Sequence, residues 1–199
     1  MPNQVLPKQA DKKRRLEEAA FVLLAQSDDE TPITVDQIVQ KAHVAKGTFY
    51  LYFHDKVQLI RSMIADKSSQ MLQDAWIKAQ QNAISNHEER FLFMINEVIE
   101  YCKQNPSLLK IMKQNLSWNM IVDEIHQRHT SNTPQWMNEL NSYLHELGYS
   151  AIEAKLLCFM MIELTATVCY SAIMLHQPQD MDTMKPLLLK NLMKMIQHS

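Results

Sequence analysis

The sequence predicts an all-α protein: a tri-helical helix-turn-helix head followed by a larger helical body. Three observations predict it. The 199 residues contain only two glycines, Gly47 and Gly148, against a usual share of about 7%. Turn-rich β architectures need glycine for positive φ, so the scarcity favours helices on short connections. Apolar residues recur at helical spacing along most of the chain, and capping signals and prolines punctuate those stripes. With 46% hydrophobic residues the chain can bury a real core and does not belong to the disordered class.

The first helix spans about Lys8 to Gln26. Its Leu16, Ala19, Ala20, Leu23 and Leu24 follow the i, i+3, i+4, i+7, i+8 pattern of one buried face. A polar run from Ser27 to Pro32 ends it. The second helix opens at Thr34, with Gln37 completing a capping box and Ile33 placed to staple onto Ile38. Its inward face is Ile38, Val39 and Ala42. After a break at Ala42 to Val44, a third short helix covers about Ala45 to Phe53. A fourth starts at a capping Asp55 and continues toward Gln80, carrying Ile60, Met63 and Ile64.

The body repeats the pattern. Phe91, Met94, Ile95, Val98, Ile99 and Cys102 form a stripe that Asn105 and Pro106 break, because the residue before proline disfavours helix. Shorter helices follow at Ser107 to Gln114, Met120 to Arg128 and Trp136 to Leu147, the last closed by Gly148. A long apolar helix starts near Ser150, and Pro178 separates it from a last one at about Met184 to Gln197. Of fourteen methionines only Met1 precedes Met63, so flexible thioethers are confined to the body. This shift predicts a head at 1–54 and a body at 55–199, with the boundary inside the linking helix at 55–80.

Charge and composition exclude several classes. Net charge is −2, so nucleic-acid binding needs a local patch and not a polycation. One candidate is the basic run Lys8, Lys12, Lys13, Arg14 and Arg15, which equally suits a solvated helix start. Cys102, Cys158 and Cys169 are odd in number and lack metal-like spacing, which predicts buried packing in a reducing cytoplasm. No apolar signal core follows Met1. Leu156 to Leu175 is long enough to span a bilayer, but Glu163 lies near its middle, where an ionisable group is costly in lipid. The expectation is a buried core helix and no membrane. His126 and His129, near Asp123, could present two ligands on one helix face, but no further ligand is spaced to match and the surroundings are polar. No metal or other cofactor is expected. There is no phosphate-cradling glycine loop and no nucleophile-elbow serine, so an enzyme is not expected either.

The function-bearing stretch is Thr34 to Lys56, TVDQIVQKAHVAKGTFYLYFHDK. Ile38, Val39, Ala42, Val44, Phe49 and Phe53 can close a small core with the first helix. The outward positions of the third helix are Lys46, Gly47, Thr48, Tyr50 and Tyr52: basic, hydroxyl-bearing or without a side chain. Such a surface suits a major groove. The run Gly47, Thr48, Phe49, Tyr50, Phe53 and Lys56 resembles the DNA-binding signature of the TetR/AcrR family of transcription regulators. The break at Asn105 to Leu108 and the last helix from Asp182 to Met193 resemble that family's body more loosely. Two positions depart from the pattern. His43 stands where the turn often has glycine, and Ala45 stands where the recognition helix often has a serine or threonine cap.

The resemblance implies that Lys46, Gly47 and Tyr50 face base edges, and that Thr34, Thr48, Tyr50, Tyr52 and Lys56 contact phosphates of a double-stranded operator. It also implies a ligand-responsive regulator, a repressor by expectation, that binds a palindromic site as a homodimer. A small hydrophobic or cationic effector would release it. The candidate lining of the effector pocket is Met94, Val98, Met112, Trp118, Trp136, Met161 and Tyr170, with Glu163 suited to a cation. The dimer is expected to use the last two long helices: Leu156 to Leu175 is apolar around much of its circumference, and Leu188, Leu192 and Met195 repeat with Leu187 and Ile196 beside them. Two alternatives stay open: the same fold sensing a partner protein or no ligand, and a helical metal-binding protein or enzyme.

Overall fold

The computed structural model describes residues 5–27, 32–115 and 134–197. Nine α-helices and no strand occur among them. They are α1 (Val5–Gln26), α2 (Val35–Ala42), α3 (Lys46–Tyr52), α4 (Lys56–Gln81), α5 (His87–Gln104), α6 (Pro106–Asn115), α7 (Gln135–Glu146), α8 (Ala151–Cys169) and α9 (Met181–Ile196). A five-residue π-helical segment, Tyr170–Met174, extends α8. The helix expected at Met120 to Arg128 lies outside the described residues.

Local chemistry sets most boundaries. Asp55, Asn86, Ser150 and Asp180 each accept a hydrogen bond from a backbone N–H in the first turn of the following helix, which satisfies a donor the helix leaves free. Ser150 forms a full capping box with Glu153. Asp180 starts the last helix a turn before the expected Met184. Pro186 therefore sits inside α9, where it removes one backbone donor.

The buried residues form two clusters. The head cluster joins Leu16, Ala20, Ile38, Val39, Ala42, Phe49 and Phe53 to Leu59, Ile60, Met63, Ile64 and Ala65 of α4 and to Ile111 of α6. Three helices alone do not close it: seven- and eight-residue helices offer too little apolar area, so α4 and α6 complete the wall. The body cluster includes Met71, Ile99, Cys102, Leu109, Leu144, Leu157, Met161, Cys169, Leu188, Leu192 and Ile196. One helix, α4, contributes to both clusters. The other shared helix, α6, packs on α1, α4, α5 and the π-helical segment.

Polar contacts fix the helices relative to one another. Arg90 donates to the Ile84 carbonyl at 3.0 and 2.7 Å and pairs with Glu139, which ties the α4–α5 turn to α7. Lys110 reaches the Ser27 carbonyl at 3.1 Å and so fastens α6 to the end of α1. The N-terminal basic run is largely neutralised. Arg14 pairs with Asp11 and Glu18, and Lys13 with Glu17 and Asp66. Arg15 turns inward and donates to the Ala42 and His43 carbonyls at the end of α2. There it satisfies carbonyls at the negative end of the helix dipole, so it is a brace and not part of a DNA-facing patch.

Two expectations about the last helices need correction. First, α8 is not a buried core helix within one chain. Ile152, Leu156, Met160 and Leu164 stand exposed at successive i+4 steps, and only 22% of its most apolar window is buried. Second, the repeat of Leu188, Leu192 and Met195 expected at the dimer seam turns inward, with Met195 partly buried against the body core and Leu188, Leu192 and the adjoining Ile196 within it. The neighbouring Leu187 is 65% exposed. Apolar spacing shows that a face exists but not which neighbour it meets.

Candidate functional site

The helix-turn-helix is built by local interactions that the sequence signals. The Gln37 N–H donates to Thr34 Oγ1 at 3.2 Å and the Thr34 N–H to Gln37 Oε1 at 2.8 Å, completing the capping box. Ile33 and Ile38 are both buried in the head core, as the staple requires. At the turn, His43 adopts φ 53° and ψ 49°. Its N–H donates to the Gln40 carbonyl, and that of Val44 to the Val39 carbonyl, each at 3.1 Å. This is the hydrogen-bond pattern of a glycine-terminated helix, achieved with a histidine, which tolerates positive φ better than most side chains. Ala45 begins α3 with no side-chain cap.

Helix α3 turns Phe49 inward, fully buried, with Phe53 behind it at 5.8 Å between ring centroids. Lys46, Gly47 and Tyr50 are exposed, while Thr48 and Tyr52 are half-buried. Tyr52 packs partly on the head core, so it presents an edge and not a whole ring. Leu51, at 80% exposed, stands on the same open surface. Sequence reading passed over it because leucine in a short helix reads as core. An exposed leucine beside exposed lysine and tyrosine offers an apolar contact of the kind a thymine methyl accepts.

Two of the candidate cations are already engaged. Lys46 Nζ lies 2.8 Å from Asp36 of α2, and this hydrogen bond raises its pKa above the ordinary value. Lys56 Nζ donates to the Ile33 carbonyl at 2.7 Å, pinning the start of α4 to the loop before α2. An ammonium has three donors, so this bond leaves Lys56 capable of meeting a phosphate as well. Gly47 is informative for another reason: a Cβ placed on it meets nothing within 4 Å. Among the described residues neither packing nor backbone conformation asks for glycine here, and glycine weakens a helix.

The second candidate site is a cavity of about 160 Å³ lined by residues of α4, α5, α6, α7 and α8. Five of the expected residues line it: Met94, Val98, Met112, Trp136 and Met161. Three do not join them. Trp118 lies outside the described residues. Tyr170 packs on the body core beside Lys113 in the π-helical segment; it follows Cys169, which faces the cavity, and is rotated about 100° from it. Glu163 stands seven residues after Leu156 and so shares that residue's outward face, away from the cavity. With it goes the expected anchor for a cationic ligand.

Sequence reading missed the cavity role of the cysteines. All three line the wall. Cys102 is held well above the ordinary thiol range by its hydrogen bond with Cys169 and by burial, and burial pushes Cys158 up to about 11. Protonated, apolar-embedded thiols are poor nucleophiles, so Cys102 and Cys158 act as cavity wall and not as reactive groups. His126 and His129 lie outside the described residues.

Residues 30–63 match the bacterial regulatory proteins of the tetR family. The whole chain is similar to YhgD of Bacillus subtilis (strain 168), an uncharacterized HTH-type transcriptional regulator, with 25% identity over 182 residues that cover 89% of this chain and 93% of that one. Among solved structures it resembles a TetR family regulator of Marinobacter aquaeolei VT8, with a TM-score of 0.66 at 16% identity over 96% of this chain and 98% of that one. It also resembles FadR of Bacillus subtilis, solved in complex with stearoyl-CoA, with a TM-score of 0.64 at 19% identity over 90% of this chain and 96% of that one. A helix-turn-helix that matches the tetR-family model over residues 30–63 thus heads an all-helical body whose fold is that of solved TetR-family regulators.

Proposed function

We propose that the protein is a ligand-responsive repressor that holds a palindromic operator as a homodimer and releases it when a small apolar molecule fills the body cavity. One observation carries the link between ligand and DNA. On α6, Leu109 and Met112 line the cavity, while Ile111 between them is fully buried in the head core. A ligand that moves α6 therefore acts on the head directly. The effect needed is a population shift toward a spacing of the two heads that no longer fits successive major grooves. The stearoyl-CoA bound by the Bacillus subtilis FadR, whose acyl chain is apolar, supports a ligand with an apolar part, and the cavity favours this reading over a protein that senses no ligand. We place the boundary between head and body inside α4, between Ala65 of the head core and Met71 of the body core.

In this reading Lys46, Gly47 and Tyr50 meet base edges, and Thr34, Thr48, Tyr50, Tyr52 and Lys56 meet phosphates. The test starts from an operator selected from random duplexes, with fluorescence anisotropy over a salt series. Lys46→Ala is expected to weaken operator binding and relax base preference, by about tenfold for a direct base contact. Lys56→Ala should weaken all duplexes alike and flatten the salt dependence. Asp36→Asn frees the Lys46 ammonium and should strengthen non-specific binding. Unchanged affinity in all three variants means that the DNA-facing surface lies elsewhere.

Gly47→Ala is expected to move two measurements in opposite directions. The helix gains up to about 1 kcal/mol, since the new methyl meets nothing among the described residues. Operator affinity falls, because the same methyl stands where backbone approaches the groove. A variant that melts higher and binds DNA as well as the parent removes Gly47 from the interface.

Met161→Trp should fill the cavity from α8. The expected result is apo-like DNA affinity together with loss of ligand-driven release. If active compounds still release DNA from that variant, the effector binds at another place.

A further inference from the structure

We propose that Leu51, at the centre of the outward face of α3, is a specificity-determining residue that reads a thymine methyl group in the major groove. The inference rests on the DNA-binding reading above and is independent of the ligand.

Position comes first. Phe49 anchors α3 in the head core and is fully buried. From the turn of an α-helix, Gly47 lies about 160° around the axis from Phe49 and Leu51 about 200°. The two straddle the line that points directly away from the core, one turn apart. Lys46 and Tyr50 share one flank, at about 60° and 100° from Phe49, and Tyr52 and Thr48 hold the same angles on the other. Whatever meets α3 head-on therefore meets Gly47 and Leu51 first, while the polar side chains reach it from the sides.

Chemistry comes second. Leu51 is 80% exposed, more than any other large apolar side chain among the described residues. Leucine favours helix, and a seven-residue helix could carry one for that reason alone. Gly47 argues against it. Glycine is a poor helix former, and a Cβ placed there meets nothing within 4 Å. A helix chosen for its own stability does not combine the two. A surface that meets a groove does: the missing side chain lets the backbone approach, and the leucine one turn further on then reaches the bases. Leucine has neither donor nor acceptor, so it cannot read a polar base edge. In the major groove the apolar group that a base pair presents is the thymine C5-methyl. Exposed Lys46 and Tyr50 on the same helix suit nucleic acid and not an apolar protein surface.

Uracil in place of thymine removes that methyl and keeps every hydrogen-bonding edge. Anisotropy on the operator selected from random duplexes compares the wild type with Leu51→Ala, with uracil placed at one thymine, then at its symmetry mate, then at both. At one such pair of positions the wild type is expected to lose about fourfold in affinity for each methyl removed and about fifteenfold for both. Leu51→Ala should bind the thymine and uracil duplexes alike, and selection repeated with it should lose the thymine preference at that position. Leu51→Met, which keeps an apolar reach, should keep the uracil effect. Melting of both variants should match the parent, since the side chain is exposed. A uracil effect of equal size in the wild type and in Leu51→Ala overturns the proposal, as does no uracil effect at any thymine. So does a Leu51→Ala variant that binds the selected operator as the parent does, because the leucine then covers something other than a base. Weakened binding in Lys46→Ala and Lys56→Ala without any uracil effect that depends on Leu51 keeps the DNA-facing surface and removes this proposal. A uracil effect that vanishes in Leu51→Ala, with neither lysine mattering, does the reverse.

Discussion

Phe49→Ala is expected to cost about 3–5 kcal/mol and to abolish operator binding. Phe49 is fully buried, alone among the side chains of α3. It lies against Tyr50 at 5.2 Å and Phe53 at 5.8 Å between ring centroids. A seven-residue helix has almost no stability of its own; this ring is what holds it against the head core. Against a typical total of about 5–15 kcal/mol the loss is large. The body retains its own core, so ligand binding should survive. Circular dichroism melting and anisotropy on the selected operator check this pairing of effects. A variant that melts within a degree or two of the parent and binds DNA normally shows that the helix is held by something else.

The head was readable because its signals are local. The capping box at Thr34 and Gln37, the cap at Asp55 and the inward spacing of Ile38, Val39 and Ala42 are all set within a few residues, and each appears in the structure. What could not be read depends on partners distant in the chain. Lys56 reaches the Ile33 carbonyl, Arg15 reaches Ala42 and His43, and Ile111 crosses from the body to close the head. In α8 the failure is one of phase. The helix is apolar on nearly every side, so its sequence does not say which side faces the cavity. Met161 and Cys169 face it, whereas Glu163 looks the other way. In α9 the adjacent Leu187 and Leu188 are equally apolar, yet one is exposed and the other buried. Only the position of a neighbouring helix separates them.

That exposed face supports the second large effect, on assembly. Ile152, Leu156, Met160 and Leu164 recur every fourth residue along α8, all exposed, and Leu187 of α9 adds a further exposed leucine, at 65%. By length and composition, residues 151–174 could also cross a membrane. However, Glu163 shares the stripe's face, the cap at Ser150 and Glu153 is polar, and the opposite side of α8 packs on α7 and α9. In the homodimer proposed above, a second copy of the chain covers this stripe. Contiguous apolar patches of this kind mark association sites, and a two-fold dimer sets two α3 helices on a palindrome. Replacing Leu156 and Met160 together by glutamate puts four carboxylates into the shared interface, two from each copy. The expected result is a monomer in sedimentation at micromolar concentration. Operator affinity should fall by about a hundredfold or more, since the second head no longer binds as part of the same molecule. Helicity and melting of the isolated chain should change little, because both side chains are about half exposed within one copy. A double variant that still sediments as a dimer places the interface on another face. One that is monomeric yet keeps full operator affinity breaks the link between dimerisation and DNA recognition.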